Sequence, residues 1–261
     1  MTPMNAADQR PLAGAHVVIT RPAGGGAALA RRIRLLGGMP LQLPGSSLCA
    51  APDVPALHAA LTAALRADVL VFVSPAAVRF AARLAPLRPA RATRVLAVGQ
   101  ASARALARHG VVDVGVPLRQ DSEGLLGLAP LDAPRGRVVA LIGGAGGRGL
   151  LQRQLIARGA TLRAVEVYQR RPARLDARHL VPLAAARDPL YLLLSSSEAL
   201  NHLRAALPLP VWARLLRATA AVSSERLAAA ARAAGFVHVR VAASALAADL
   251  LAAAVAAHAR R

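Results

Sequence analysis

The sequence contains no lysine, and all 33 of its basic residues are arginine. This absence excludes a phosphate-binding loop of the G-x-x-x-x-G-K-[ST] type, in which the lysine contacts the phosphates. Aromatic residues make up only 2% of the chain, so few side chains could stack on nucleic-acid bases. The net charge of +20 should attract anions, but the arginines are scattered rather than clustered. A small polyanionic substrate is therefore favoured over nucleic acid as the partner.

Cysteine and long apolar runs are also scarce. Cys49 is the only cysteine and leaves no partner for an intrachain disulfide. Arg, Asp or Pro interrupts each apolar stretch before it reaches the length of a membrane span. The N-terminal residues lack the basic start and apolar core of a signal peptide. We therefore expect a cytoplasmic protein that does not cross a membrane.

Short apolar runs predict β-strands, and segments rich in Ala, Leu and Arg with helical spacing lie between them. The runs cover residues 15–20, 68–74, 94–99, 136–144, 161–168, 190–196 and 218–224. Because they are nearly continuous rather than alternating, they are typical of strands buried on both faces of a parallel sheet. Strands that alternate with helices indicate the α/β class.

The two halves of the chain resemble each other. "VFVSPAAV" in the first half corresponds to "LLLSSSEAL" in the second, so that Ser74 falls on Ser196. "LAVGQASARALARHG" corresponds to "VSSERLAAAARAAGF", and here Leu227 stands where a counterpart of Ser102 would lie. Matches that recur in the same order favour two similar α/β units.

A glycine-rich turn follows the predicted strand at 136–144. Gly144, Gly146 and Gly149 have the G-x-G-x-x-G spacing of a dinucleotide-binding turn, and Glu166 follows at a plausible distance. The corresponding segment of the other half, "TRPAGGGA", lacks the spacing, so nucleotide binding rests on a single weak motif. The alternative is a turn in which glycine allows a close approach of the backbone or flexibility.

Taken together, the segments resemble the uroporphyrinogen-III synthase family. The resemblance runs from about Val17 to Leu251, and its pieces occur in the family's order. They are "ITRP", "LQLP", "VFVSPAAV", "LAVGQASARALARHG", "DSEGLL", "GGAGGRGLLQRQLIARGA", "VEVYQRRP", "LLLSSSEAL", "VSSERLAAAARAAGF" and "VAASALAADLLAA". The TRP start, the SPAAV turn and the VYQRRP strand are the most specific of them.

The resemblance implies two similar three-layer α/β domains with mostly parallel sheets, a two-stranded connector and a cleft between the domains. Residues 13–42 and 173–261 would form a discontinuous first domain, and residues 53–160 would form the second. Residues 43–52 and 161–172 would be the connector strands, and residues 1–12 a flexible N-terminus. The family also implies a monomer.

The activity implied by the resemblance is the conversion of hydroxymethylbilane, a chain of four pyrroles with eight carboxylates, into uroporphyrinogen III. The reaction loses water and inverts ring D, as a step of tetrapyrrole and heme biosynthesis. It implies no metal and no organic cofactor, because the protein's task is to hold one folded geometry. The expected partner is this small molecule, with a transient contact to the enzyme that supplies it. The alternative is a non-catalytic two-lobed α/β protein that binds a phosphorylated or anionic small molecule.

The same resemblance indicates the candidate site. Tyr168 matches the family's tyrosine and is the expected acid, because a phenol is protonated at neutral pH and can donate to a leaving hydroxyl. The alternative for Tyr168 is packing, which is also the role expected of Tyr191. The candidate substrate-binding residues are Arg21, Ser74, Gly99, Ser102, Arg148, Ser196, Ser197, Ser223 and Ser224. The serines Ser74 and Ser196 are also expected to cap the helices that follow them.

Overall fold

The computed structural model describes residues 10–146 and 149–260. The chain divides into two compact units, and it passes between them at Leu48/Cys49 and at Arg170/Arg171. The first unit is discontinuous and comprises the described residues up to Leu48 and from Arg171 onward; the second comprises the described residues between Cys49 and Arg170. Residues 1–12 are expected to be a flexible segment, and positions 1–9 of it lie outside the described residues. Its last residue, Leu12, is fully buried in the core of the first unit rather than flexible.

The first unit contains a parallel sheet and helices. Its elements are β1 (His16–Ile19), α1 (Ala27–Leu35), β2 (Met39–Gln42), α8 (Ala177–Ala184), β9 (Leu190–Leu194), α9 (Ser197–Ala206), α10 (Leu209–Leu216), β10 (Thr219–Val222), α11 (Glu225–Ala233), β11 (Val239–Val241) and α12 (Ala247–His258). The strand order within the described residues is β11-β10-β9-β1-β2, and all four pairs are parallel.

Successive residues of these strands pack into two different apolar clusters. Val18 belongs to one cluster, whereas Val17 and Ile19 belong to the other. Along β9, Leu192 likewise packs into the first cluster and Tyr191 into the second. Because side chains alternate across a strand, both faces of the sheet are covered, and the unit has three layers.

The second unit has the same kind of organisation. Its elements are β3 (Ser47–Ala50), α2 (Val54–Ala64), β4 (Val69–Phe72), α3 (Pro75–Leu84), β5 (Arg94–Ala97), α4 (Gln100–Ala107), β6 (Val114–Gly115), α5 (Ser122–Leu126), α6 (Ala129–Asp132), β7 (Val138–Gly144), α7 (Leu150–Ala157) and β8 (Thr161–Arg171). The strand order is β3-β8-β7-β4-β5-β6, and the pairs β8–β7, β7–β4, β4–β5 and β5–β6 are parallel. The chain passes between the units within β3 and at the end of β8.

The described residues confirm the predicted α/β class with mostly parallel sheets. In the part of the chain that the structure covers, no helix combines the length and the apolar character needed to cross a membrane. The parallel arrangement has a consequence for function, because the carboxyl ends of parallel strands, and the turns that follow them, share one edge of each sheet.

Candidate active site

Predicted site residues of the second unit meet at the carboxyl edge of its sheet. Ser74 follows β4, Gly99 follows β5, and Tyr168 lies on β8 opposite Gly144, the last residue of β7. β4 pairs in parallel with both β5 and β7, so the strand ends lie side by side. In open α/β sheets this edge is where ligands bind.

Ser74 and Tyr168 are in direct contact. The Ser74 Oγ atom lies 3.3 Å from the phenolic oxygen of Tyr168, and either hydroxyl can be the donor. Ser74 Oγ also accepts a hydrogen bond of 3.0 Å from the Ala77 N–H group and so caps α3, which confirms the predicted N-cap. Ser74 is half-buried, whereas Tyr168 is only 4% exposed. The serine therefore joins the phenol to the beginning of a helix.

Tight packing fixes the Tyr168 ring. Phe80 of α3 stacks on it with 5.4 Å between ring centroids and an angle of 27° between planes. A Cβ atom at Gly144 would lie 2.3 Å from Cε2 and 2.4 Å from Cζ of the ring. Gly144 is thus required so that β7 can approach the phenol closely. The predicted close approach of the backbone is thus confirmed at Gly144.

A β-bulge in β8 directs Tyr168. Gly143 pairs with Glu166, but Gly144 pairs with Tyr168, which leaves Val167 as the extra residue. Because Gly143 and Gly144 face opposite sides of the sheet, the bulge places Glu166 and Tyr168 on opposite sides as well. The apolar run alone does not predict this bulge. The paired glycines opposite it are the signal that could have indicated it.

The rest of the glycine-rich turn borders a cavity of about 240 Å³. Gly143, Gly144, Leu150 and Glu166 are among its lining residues. Gly146 and Gly149 have positive φ angles of 76° and 61°, conformations that favour glycine. The predicted site residue Arg148 lies outside the described residues.

Gly99 and Ser102 lie at the start of α4. Gly99 is buried and is the N-cap residue, which has no side chain to cap the helix. Instead, the side-chain carbonyl of Gln120 accepts a hydrogen bond of 2.9 Å from the Gln100 N–H group. Ser102 is 1% exposed, and its Oγ atom has no hydrogen-bond partner among the described residues. Sequence reasoning missed Gln120, because nothing in the local pattern links it to a turn 20 residues earlier.

The first unit carries its predicted site residues at the corresponding edge of its own sheet. Ser196 caps α9 through a 3.3 Å bond from the Ala199 N–H group, and Ser224 caps α11 through a 3.3 Å bond from the Leu227 N–H group. The cap by Ser196 confirms the prediction. Arg21 follows β1 and is half-buried.

The other two serines lie beside these caps. Ser197 is the first residue of α9 and is half-buried. Ser223 donates a hydrogen bond of 3.4 Å to the carbonyl of Ser195. The structure therefore gathers the first unit's candidates where β1, β9 and β10 end.

Two carboxyl groups outside the predicted site have lowered pKa values. Asp121 caps α5, and the hydrogen bond from the Gly124 N–H group, with a further one from Arg119, lowers its pKa. The side-chain hydrogen bond from Arg178 lowers the pKa of Asp176 to about 2.

Tyr191 is fully buried in the core, as expected, and its hydroxyl lies 3.1 Å from Nδ1 of His258.

Comparison with known proteins decides the family. A family model described as uroporphyrinogen-III synthase HemD matches residues 27–252. The chain belongs to the uroporphyrinogen-III synthase family. The uroporphyrinogen-III synthase of Salmonella typhimurium LT2 is 34% identical over 237 residues, which cover 87% of this chain and 94% of that protein. The Escherichia coli K12 protein of the same name is 32% identical over 235 residues, with the same coverage.

Solved structures of uroporphyrinogen-III synthases share the fold. The Helicobacter pylori 26695 enzyme matches with a TM-score of 0.57 at 14% identity, over 94% of this chain and 99% of that one. A mutant enzyme of the extreme thermophile Thermus thermophilus matches with a TM-score of 0.56 at 23% identity, over 95% of this chain and all of that one. The family model and the two relatives confirm the family resemblance found in the sequence, whereas the roles of the individual site residues stay predictions.

Proposed function

We propose that this chain cyclises hydroxymethylbilane to uroporphyrinogen III, with loss of water and inversion of ring D. Membership of the uroporphyrinogen-III synthase family gives the reaction class. The observation that carries the mechanism is the contact between Tyr168 and Ser74, 3.3 Å apart at the carboxyl edge of a parallel sheet. No observation favours the alternative of a non-catalytic binder.

The outcome of the reaction depends mainly on the conformation in which the substrate is held. Protonation of the terminal hydroxyl releases water and leaves an electrophilic, cationic azafulvenium. This carbon bonds to the already substituted carbon of the last ring and gives a spiro intermediate, which fragments and recloses at the other position. Loss of a proton then completes the macrocycle. Because the open chain also closes without inversion, the protein must hold one folded conformation of the substrate.

Tyr168 supplies the proton in this proposal. A phenol carries its proton at neutral pH, and a positioned acid contributes about 100-fold or more to a rate. Packing against Phe80 and Gly144 fixes the ring, and Ser74 fixes the hydroxyl. The proton lost on ring closure restores the phenol, so the residue ends the cycle as it began.

The carboxylates of the substrate are proposed to bind at the two sheet edges. Amide and hydroxyl groups at helix N-termini are suited to anions, and the net charge of +20 attracts a polycarboxylate. The proposed ligands of the second unit are Ser74, Gly99 and Ser102. Those of the first unit are Arg21, Ser196, Ser197, Ser223 and Ser224.

The instability of the substrate bears on where the protein works. Since hydroxymethylbilane closes spontaneously, a transient contact with the enzyme that supplies it would shorten the time available for the wrong closure. We propose such a contact, and a cytoplasmic location for the step. A chain with a single cysteine needs no oxidising compartment.

The test is a coupled assay in which hydroxymethylbilane is generated in situ and the oxidised products are separated into type I and type III isomers. A dominant type III product is expected. Type I product alone, from protein shown to be folded by circular dichroism, would refute the proposed function.

Two tyrosine variants then test the acid. Tyr168→Phe removes the phenolic proton and should lower kcat about 100-fold. Tyr191→Phe is the matched control, because it removes a buried hydroxyl that bonds to His258 in the core of the first unit. It should cost about 1 kcal/mol of stability and leave kcat near the unmodified value. Equal kcat values in the two variants would contradict the assignment of Tyr168.

A further inference from the structure

The start of α4 differs from the starts of α3, α9 and α11, the helices that begin at the predicted serines. Ser74, Ser196 and Ser224 each cap the helix that follows with their own hydroxyl. At α4 the N-cap residue is Gly99, and the capping oxygen comes from Gln120 on a separate segment. The side chain of Gln120 therefore takes the capping role that a serine has at α3, α9 and α11.

The hydrogen bond to Gln100 fixes the orientation of the Gln120 amide. A backbone N–H group can bond only to an acceptor, so the side-chain oxygen Oε1 faces the helix. The Nε2 group, with two N–H donors, then forms the outer end of the side chain. The residue is exposed, so these donors are available to a ligand.

We propose that Gln120 is a specificity-determining residue whose Nε2 group binds a carboxylate of the substrate at the start of α4. This inference rests on the proposed function, and it identifies one donor for a polycarboxylate that the family resemblance did not indicate. The Gln120 side chain accepts the hydrogen bond of one backbone N–H group at the helix terminus, and its Nε2 group presents two N–H donors farther from the helix.

The position of the Gln120 side chain explains why residue 99 is glycine. Its φ of −175° is extended backbone that any residue adopts, so the backbone does not require glycine there. A Cβ atom at this position, however, would lie 2.3 Å from Oε1 of Gln120. Glycine at position 99 therefore leaves the space in which the Gln120 amide contacts the helix terminus.

Ser102 provides an independent observation at the same helix. It lies in the first turn of α4, is 1% exposed, and its hydroxyl has no partner among the described residues. A buried hydroxyl without a hydrogen bond costs stability unless a ligand or water completes it. The first turn of α4 thus combines an unpartnered buried hydroxyl with an exposed, oriented amide.

The charges around Gln120 suit a neutral donor. Arg119 contacts the carboxylates of both Asp121 and Glu123, so its own charge is already paired. A carboxylate at position 120 would add a third anion to this segment, whereas an amide adds donors without a charge. The substitution Gln120→Glu therefore separates the two roles that the side chain could have.

The capping role should survive the substitution Gln120→Glu. The new carboxylate accepts the Gln100 N–H bond and interacts favourably with a helix N-terminus, so the variant should keep or raise the melting temperature. The role as a substrate ligand should be lost, because the carboxylate lacks the Nε2 donors and repels the substrate. The KM for hydroxymethylbilane should rise about tenfold or more.

Gln154→Glu is the matched control, since Gln154 is an exposed residue of α7 in the same unit and undergoes the same change of charge. Its KM should stay near the unmodified value. Equal KM values for Gln120→Glu and Gln154→Glu would overturn the inference while leaving type III synthesis intact. Failure of the unmodified protein to make the type III isomer would instead overturn the proposed function.

A second pair of variants covers the case in which Gln120→Glu perturbs the fold. Gly99→Ala should displace the Gln120 amide, and Gln120→Ala should remove it, so each raises KM by a similar factor. In the double variant the effects should not multiply, because both act through one group. Multiplied KM effects would show that Gly99 acts independently of Gln120, contrary to the inference.

Discussion

Gly144→Ala should strongly lower the activity of the protein by displacing the Tyr168 ring. A Cβ atom at position 144 would lie 2.3 Å from ring atom Cε2, whereas carbon atoms in ordinary contact are about 3.5–4.0 Å apart. The ring or β7 must therefore move by about 1 Å. Phe80 stacks on the same ring and limits the room into which it can retreat.

The size of the effect follows from this geometry. Forcing a methyl group into a packed site costs about 1–3 kcal/mol, so the melting temperature should fall by a few degrees. The catalytic cost is larger, because a displacement of about 1 Å of a reacting group can lower a rate about 100-fold. Activity should therefore fall far more than the loss of stability explains.

The measurement is kcat for type III product, with melting followed by circular dichroism. Gly127→Ala is a suitable control, because Gly127 has a φ of −87° and a Cβ atom there would meet its nearest neighbours at 3.6 and 3.9 Å. The double variant Gly144→Ala/Tyr168→Phe should be about as active as Tyr168→Phe alone, since both remove the same proton donor. A Gly144→Ala variant with unmodified kcat would refute the reasoning.

Two further predictions concern the second unit. Ser102→Ala removes a buried hydroxyl without a partner among the described residues, so the melting temperature should stay or rise while KM rises severalfold; an unchanged KM would exclude substrate contact by Ser102. Asp121 accepts a bond from Gly124, which lowers its pKa below 3.8, so its capping contributes above that pH and is lost as the pH falls through the lowered value. Asp121→Ala should therefore cost about 0.5 kcal/mol in urea unfolding at pH 7, as suits a partly exposed cap, and this cost should shrink as the pH falls through the lowered pKa. A cost that does not depend on pH would contradict this account.

The sequence predicted the central strands but not all of the edge strands. The apolar runs correspond to β1, β4, β5, β7, β8, β9 and β10. The strands that these runs did not indicate, β2, β3, β6 and β11, are the edges of the two sheets. Edge strands are short and partly exposed, so they need no continuous apolar run. The family resemblance, rather than the residue pattern, indicated a strand near β3.

The candidate site shows the same division between local and tertiary information. The serine caps were predictable, because a hydroxyl residue at the start of a helix bonds to an amide three residues later. The bulge at Val167 and the contact of Gln120 with α4 were not, because each depends on a partner distant in sequence. Tyr168 was identified by resemblance, but its dependence on Gly144 appears only when β7 and β8 pair.

The starts of α4 and α11 occupy corresponding places in the two units, so their residues can be compared one by one. Gly99 and Ser224 occupy the same place before α4 and α11, and Ser102 and Leu227 occupy the same place in the first turn of each helix. Leu227 is 2% exposed and packs into the core of the first unit, which shows that this position accepts an apolar side chain. The fold alone therefore does not demand a hydroxyl at position 102. This difference supports the proposed contact of the Ser102 hydroxyl with the substrate, at the helix that Gln120 caps.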